Sequence, residues 1–242
     1  MVPKECHRLI SEALQCSPFR PAGLIDALKS IRDLQRLFES PAGWWDRKPN
    51  DYTLEQHTIH VGASFERYFS KRTLPGNITL PFFRLAVALH DIGKPLTEGE
   101  MSTASQHSHT LSVLDQFEDC FPITPGQFVS LKAMLGGDPI GSLLQQHIAL
   151  KEASHMIEAA SADAGLSPAN FLDALTILYQ CDVAAYTKSS GYRSNWLLPV
   201  FESREIPGTD EREPLFDEAL GRLRFSAEGE AIYGELRDAL PS

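Results

Sequence analysis

Apolar residues along this chain recur at helical spacing, and no stretch alternates convincingly as a half-buried strand would. Residues 1–20 hold a short helix that stops at Ser17-Pro18. Between Ala22 and Glu39, Leu24, Ile25, Leu28, Ile31, Leu34, Leu37 and Phe38 recur at helical spacing and predict one amphipathic helix. Pro41, Gly43 and Pro49 then make 40–51 a loop, whose Trp44-Trp45-Asp46 is expected to lid the core. Thr53 is placed to cap a helix over Leu54–Lys71, on which His57, Val61, Phe65 and Tyr68 share a face. Phe82, Phe83 and Leu85 to Leu89 make a nearly continuous apolar helix over Leu80–Asp91. Gly93 and Pro95 stop it.

Lys94–Ser108 reads as a polar loop ending in Gln106-His107-Ser108-His109, and Thr110–Phe121 as helix. Pro122 and Pro125 break the pattern before a helix over Gln127–Leu135 and a turn at Gly136-Gly137-Asp138-Pro139. A helix is predicted from Leu143 through His147 to Ile157. Ser167-Pro168 opens another over Ala169–Lys188. Asp182 lies well inside it, and an acid within an apolar helix asks for a partner. From Gly191 the chain is looser: Trp196–Pro199 can pack back, Glu202–Glu213 is an acidic loop, and Leu215–Leu223 and Ala227–Leu240 read as short helices. The expected fold is therefore all-α. A central helical region (51–190) is flanked by an N-terminal helical extension (1–50) and a C-terminal one packing back on it (191–242).

Composition narrows the class. At 242 residues and 43% hydrophobic, the chain can bury a sizeable core without staples. Its four cysteines form no CxxC, the N-terminus lacks the apolar run of a signal peptide, and no run approaches a membrane span. A cytoplasmic protein with free thiols is expected. The net charge of −10 and scattered basic residues argue against gripping duplex DNA. A small anionic substrate stays compatible, because a few cations or a metal in a cleft override net charge locally.

His90-Asp91 is the chemical centre. Two ionisable groups ending an apolar helix need partners or a metal, since an unpaired buried charge costs several kcal/mol. The chain also offers His57, His107 or His109, His147 and Asp182. Imidazoles and carboxylates projecting from helices suit divalent transition ions, and the two oxygens of Asp91 could serve two of them. His7 and His155 read as surface or helix-face residues, and Cys181 as core packing.

The segments TLEQHTIHV (His57), LHDIGKP (His90, Asp91) and YQCDVAAY (Asp182) resemble the H…HD…D signature of the HD-domain superfamily. Its members are all-α and mostly metal-dependent phosphohydrolases. The resemblance covers roughly residues 50–190 and is similar in flavour to the HD domains of bacterial tRNA nucleotidyltransferases. There HD-x-G-K-P is soon followed by a G-H-E-like segment; here Gln106 to Thr110 takes that place, with Ser108 and Thr110 in the Gly and Glu positions. His109 is preferred to His107 as the counterpart histidine. With about 50 residues upstream, a stand-alone HD protein is expected.

The resemblance implies one or two divalent ions (Mn, Ni, Co, Mg, Zn or Fe). His57, His90, Asp91 and Asp182 would hold the first; His109 and His147, with Asp91 bridging, would hold a second. Lys94 would contact a phosphate and His107 would protonate a leaving group. The expected reaction is hydrolysis of a phosphomonoester or phosphodiester, in a nucleotide, cyclic nucleotide or RNA-terminal phosphate. The GYP segment of cyclic-di-GMP hydrolases is absent. The same six ligands would also suit a di-iron oxygenase acting on a small polyol or phosphonate, and a non-catalytic helical scaffold is the third expectation. No duplex DNA or membrane partner is expected.

Overall fold

Helix starts are written into the chain as polar caps, several followed by proline. The Thr53 hydroxyl accepts from Gln56 N while the Gln56 side chain accepts from Thr53 N. Thr124 and Gln127 form the same reciprocal capping box. Thr79, Asp138, Ser167 and Ser226 each cap a helix through a side-chain oxygen. Such caps satisfy backbone N–H groups that have no partner inside the helix.

The computed structural model describes residues 3–40, 53–76, 78–97, 103–185, 200–208 and 212–241. Trp44-Trp45-Asp46, Trp196–Pro199 and the end of the helix expected to reach Lys188 lie outside them. The helices are α1 (Pro3–Gln15), α2 (Pro21–Lys29), α3 (Arg32–Phe38), α4 (Leu54–Tyr68), α5 (Leu80–Leu89), α6 (Thr103–Gln116), α7 (Pro125–Leu135), α8 (Pro139–Leu144), α9 (Leu150–Ala164), α10 (Pro168–Ala184) and α11 (Ala227–Ala239). Single 3-10 turns sit at Lys94–Leu96 and Glu118–Cys120. Helices dominate, as the all-α expectation requires. Among the described residues no helix is long and apolar enough to cross a membrane.

Four local expectations are corrected. The single helix over 22–39 is two, because Ser30 ends α2 and Ile31 turns extended (φ −87°, ψ 112°) while keeping its side chain buried. The polar segment before His109 is helical from Thr103, so both His107 and His109 lie on α6 rather than in a loop. The helix expected through His147 is interrupted: α8 ends at Leu144, and Gln146 reverses the chain in the left-handed region (φ 59°). The stretch 203–223 forms hairpins instead of a loop and a helix. β1 (Ser203–Glu205) pairs with β2 (Arg212–Pro214), with Arg204 directly opposite Glu213 and ion-paired to it at 2.6 Å. β3 (Phe216–Asp217) pairs with β4 (Arg222–Leu223). Asp217 makes that turn by accepting from Ala219 N and Leu220 N, and Gly221 supplies the positive φ (70°) that closes it.

The chain divides into two compact units, Met1–Ala63 with Thr79–Gly137, and Ser64–Ile78 with Asp138–Ser242. In the first, α1 packs on α2, α5 and the turn at Glu118–Cys120, α5 also meets α2 and α7, and α6 packs on α7. Helix α5 is apolar on every face but that of Arg84 and buries Phe82, Phe83 and Leu85 through Leu89, as a helix at the centre of a core must. In the second unit, α8, α9, α10 and α11 pack together and β4 lies on α10. Gln180, fully buried, pins β4 to α10 by donating to Leu223 O (3.0 Å) and accepting from Leu223 N (2.9 Å).

Candidate metal centre

The centre forms where α5 gives out. His90 is the C-cap residue of α5 in helical geometry (φ −55°, ψ −36°), and Asp91 follows in the turn that Gly93 and the 3-10 turn complete. The pair is thereby tied to the most buried helix of its unit. His57 reaches it from the apolar face of α4 that also carries the buried Val61 and Phe65. His57, His90 and Asp91 are 1%, 8% and 4% exposed.

These side chains meet at one atom. His57 Nε2 and His90 Nε2 each lie 3.2 Å from Asp91 Oδ2, and the two rings are 5.4 Å apart between centroids. His90 Nδ1 lies 2.8 Å from the Val87 carbonyl, which can only accept, so Nδ1 carries the proton and Nε2 is turned toward the carboxylate. In a neutral His90 this aims a nitrogen lone pair at a carboxylate oxygen. Two acceptors opposed at that distance require a cation or a proton beside them.

Lys94 supplies further positive charge. One helical turn on from Asp91, its ammonium contacts the same Oδ2, and its side chain is only 10% exposed. Burial by itself would raise the Asp91 carboxyl. With a proton on His90 Nε2, the charges of His90 and Lys94 and the hydrogen bonds from His57 and His90 outweigh burial and hold the carboxyl well below the usual carboxylate range. Asp91 is therefore ionised at neutral pH and available as a ligand.

Gln106, which sequence reasoning passed over, donates from Nε2 to Asp91 Oδ1 at 2.8 Å. Its helix is seated against the His-Asp turn at the closest approach a backbone permits. Gly93 N donates to Thr110 Oγ1 (3.2 Å), and a Cβ on Gly93 would stand 2.3 Å from Thr110 N and 2.5 Å from Gln106 O. Gln106 and Thr110 are four residues apart on α6, in line with the buried Val113 and Leu114. That helical spacing was the signal available for finding it.

Asp182 lies near the end of α10, after the buried Gln180 and Cys181. His57, His90, Asp91 and Asp182 constitute a group that could hold a metal ion. Two imidazoles and two carboxylates are a donor set for divalent transition ions. The other expected ligands are not part of that group. His107 directs Nδ1 to the carbonyl of Leu135 on α7 (3.1 Å), His109 is half-buried on α6, and His147 is exposed in the turn after α8.

Comparisons of the chain with protein-family models, curated proteins and solved structures find no match.

Proposed function

We propose that this chain is a metal-dependent phosphohydrolase of the HD type, acting on a small phosphorylated substrate such as a nucleotide, cyclic nucleotide or RNA-terminal phosphate. The observation that carries the reading is the convergence of two buried imidazole nitrogens on one ionised carboxylate oxygen, with a lysine ammonium at the same atom. His57, His90, Asp91 and Asp182 are the residues that would hold the ion, in the order the HD signature carries them. A divalent ion held there would act as a Lewis acid on a phosphoryl oxygen and ionise a bound water near neutral pH.

The chain's own groups divide the remaining work. His90 keeps Nε2 directed inward through its bond to Val87 O, and Gln106 keeps the Asp91 carboxylate oriented. Lys94, on a flexible four-carbon stem, is placed to swing from Asp91 to a phosphoryl oxygen and neutralise the charge that develops there. His107, whose Nδ1 is directed to Leu135 O, would deliver a proton to the leaving group from Nε2.

The test is phosphate release from a panel of nucleoside monophosphates, cyclic nucleotides and oligoribonucleotide ends, with Mn, Co, Ni or Mg supplied and oxygen uptake followed in parallel. Hydrolysis that needs the added ion and is lost in Asp91→Ala is expected. Oxygen consumption with iron on a polyol or phosphonate would replace the hydrolase with the oxygenase. Failure of every substrate with every ion would remove the enzymatic reading.

A further inference from the structure

We infer that Gln106 is a positioning residue that commits Asp91 to offering a single oxygen, and so sets this centre up for one ion. The inference rests on the metal reading above and concerns a residue outside the HD signature.

A carboxylate that bridges two ions with one oxygen on each needs both oxygens open to them. Asp91 divides its oxygens between two different sets of neighbours. Oδ2 faces His57 Nε2, His90 Nε2 and the Lys94 ammonium. Oδ1 takes the amide of Gln106 at 2.8 Å, and against a carboxylate the amide must present its N–H side. A hydrogen bond to an ionised acceptor is stronger than one between neutral groups, and the donor takes one of the lone-pair directions of that oxygen and fixes the carboxylate plane.

The amide cannot drift away. Thr110, one turn further along α6, accepts from Gly93 N, and the α6 backbone at Gln106 O and Thr110 N touches the turn where only a glycine fits. The carboxylate is thus gripped from both sides: by the turn it belongs to and by the helix laid across that turn. Two consequences follow. The plane of the carboxylate is set before any ion arrives, which favours binding. A second ion bound through Oδ1 would have to compete with the Gln106 amide for that oxygen. The placement of His147 in an exposed turn agrees with this.

The experiment is titration of the full chain with Mn²⁺ and, separately, Co²⁺, comparing wild type with Gln106→Leu. Free Mn²⁺ is followed by electron paramagnetic resonance and bound Co²⁺ by its visible bands. Wild type is expected to take up one ion per chain. Gln106→Leu is expected to bind tenfold to a hundredfold more weakly, the range seen when a supporting partner of a ligand is removed. Its Co²⁺ bands are expected to change shape, because the freed Oδ1 lets the carboxylate chelate. A purely structural role for Gln106 would lower stability and leave the spectrum of the bound fraction unchanged. Should Gln106→Leu fail to fold, Gln106→Met, which keeps the length and cannot donate, gives the same readout. Two ions per wild-type chain, or unaltered affinity and spectrum in the variant, would overturn the inference alone. No uptake of either ion by wild type would overturn the metal reading and this inference with it.

Discussion

Replacing Gly93 by alanine separates steric from conformational demands on the His-Asp turn. Gly93 sits at φ −83°, ψ −16°, a conformation that alanine adopts freely. On backbone grounds alone Gly93→Ala would stabilise the protein by about 0.4–1 kcal/mol, through lost freedom of the unfolded chain. The added methyl, however, would meet Thr110 N at 2.3 Å, Gln106 O at 2.5 Å and Thr110 Oγ1 at 2.7 Å. Two of the three are backbone atoms in a helix and cannot turn aside. Relief requires α6 to move off the turn, which strains the packing by about 1–3 kcal/mol. It also loses the Gly93–Thr110 hydrogen bond, worth about 1 kcal/mol. The net expectation is a destabilisation of about 2 kcal/mol, or a fall in Tm of roughly 4–8 °C for a chain of this size. Urea unfolding followed by circular dichroism measures it. Gly23→Ala in α2, where nothing lies within 4 Å of the added Cβ, is the control and should stabilise by up to about 1 kcal/mol. If Gly93→Ala proved neutral or stabilising, the close seating of α6 on the His-Asp turn would be refuted, and the orientation of Gln106 with it.

The Asp91 carboxyl is held below its ordinary value in the folded chain, so it contributes stability above the carboxylate range, and that contribution is lost as pH falls. The stability gap between wild type and Asp91→Asn should therefore be widest near neutrality and narrow once pH drops below about 3.9; a gap that widens in acid would contradict the assignment. Gln180→Ala strips the partners from both backbone groups of Leu223 and should cost about 2–4 kcal/mol in urea unfolding, against a negligible cost if β4 is pinned otherwise. Of the four cysteines, Cys16 is exposed and Cys6, Cys120 and Cys181 are buried, with burial pushing Cys120 up to about 11 and Cys181 well above its usual value. A thiol reagent should label one cysteine quickly and three only on unfolding; two or more fast thiols would refute that burial. His147→Ala should leave Mn²⁺ affinity within twofold of wild type, and a larger loss would return His147 to the ligand set.

The His-Asp turn was legible because its causes are local. Seven apolar residues interrupted only by Arg84 force α5 into the core, Gly93 and Pro95 end it, and the residues between inherit the burial. His57 was legible for a similar reason, since helical spacing placed it on the face of Val61 and Phe65. Gln106 was not, because a glutamine has no preference that marks it as a ligand's partner; it acquires its role only when α6 is laid on the turn. The start of α6 hid for a related cause: Thr103 to His109 is polar enough to read as loop, and its helicity comes from packing on α7 rather than from propensity. His147 was misplaced because Leu143 and Ile157 look continuous in a helical pattern, while the break depends on Gln146 entering the left-handed region, a conformation that glycine, asparagine or aspartate would have advertised. The β3–β4 hairpin was misread as helix although Asp217 and Gly221 carried a turn signal, because Phe216, Leu220 and Leu223 imitate helical spacing over so short a stretch.

We propose that His57, His90, Asp91 and Asp182 hold a divalent ion. Equilibrium dialysis against Mn²⁺, followed by elemental analysis per chain, tests it most directly in wild type, His90→Ala, Asp91→Ala and Asp182→Ala. One equivalent in wild type, with loss of binding by at least a hundredfold in each variant, is the predicted result. Equal uptake by wild type and the variants, or none by wild type, would contradict it.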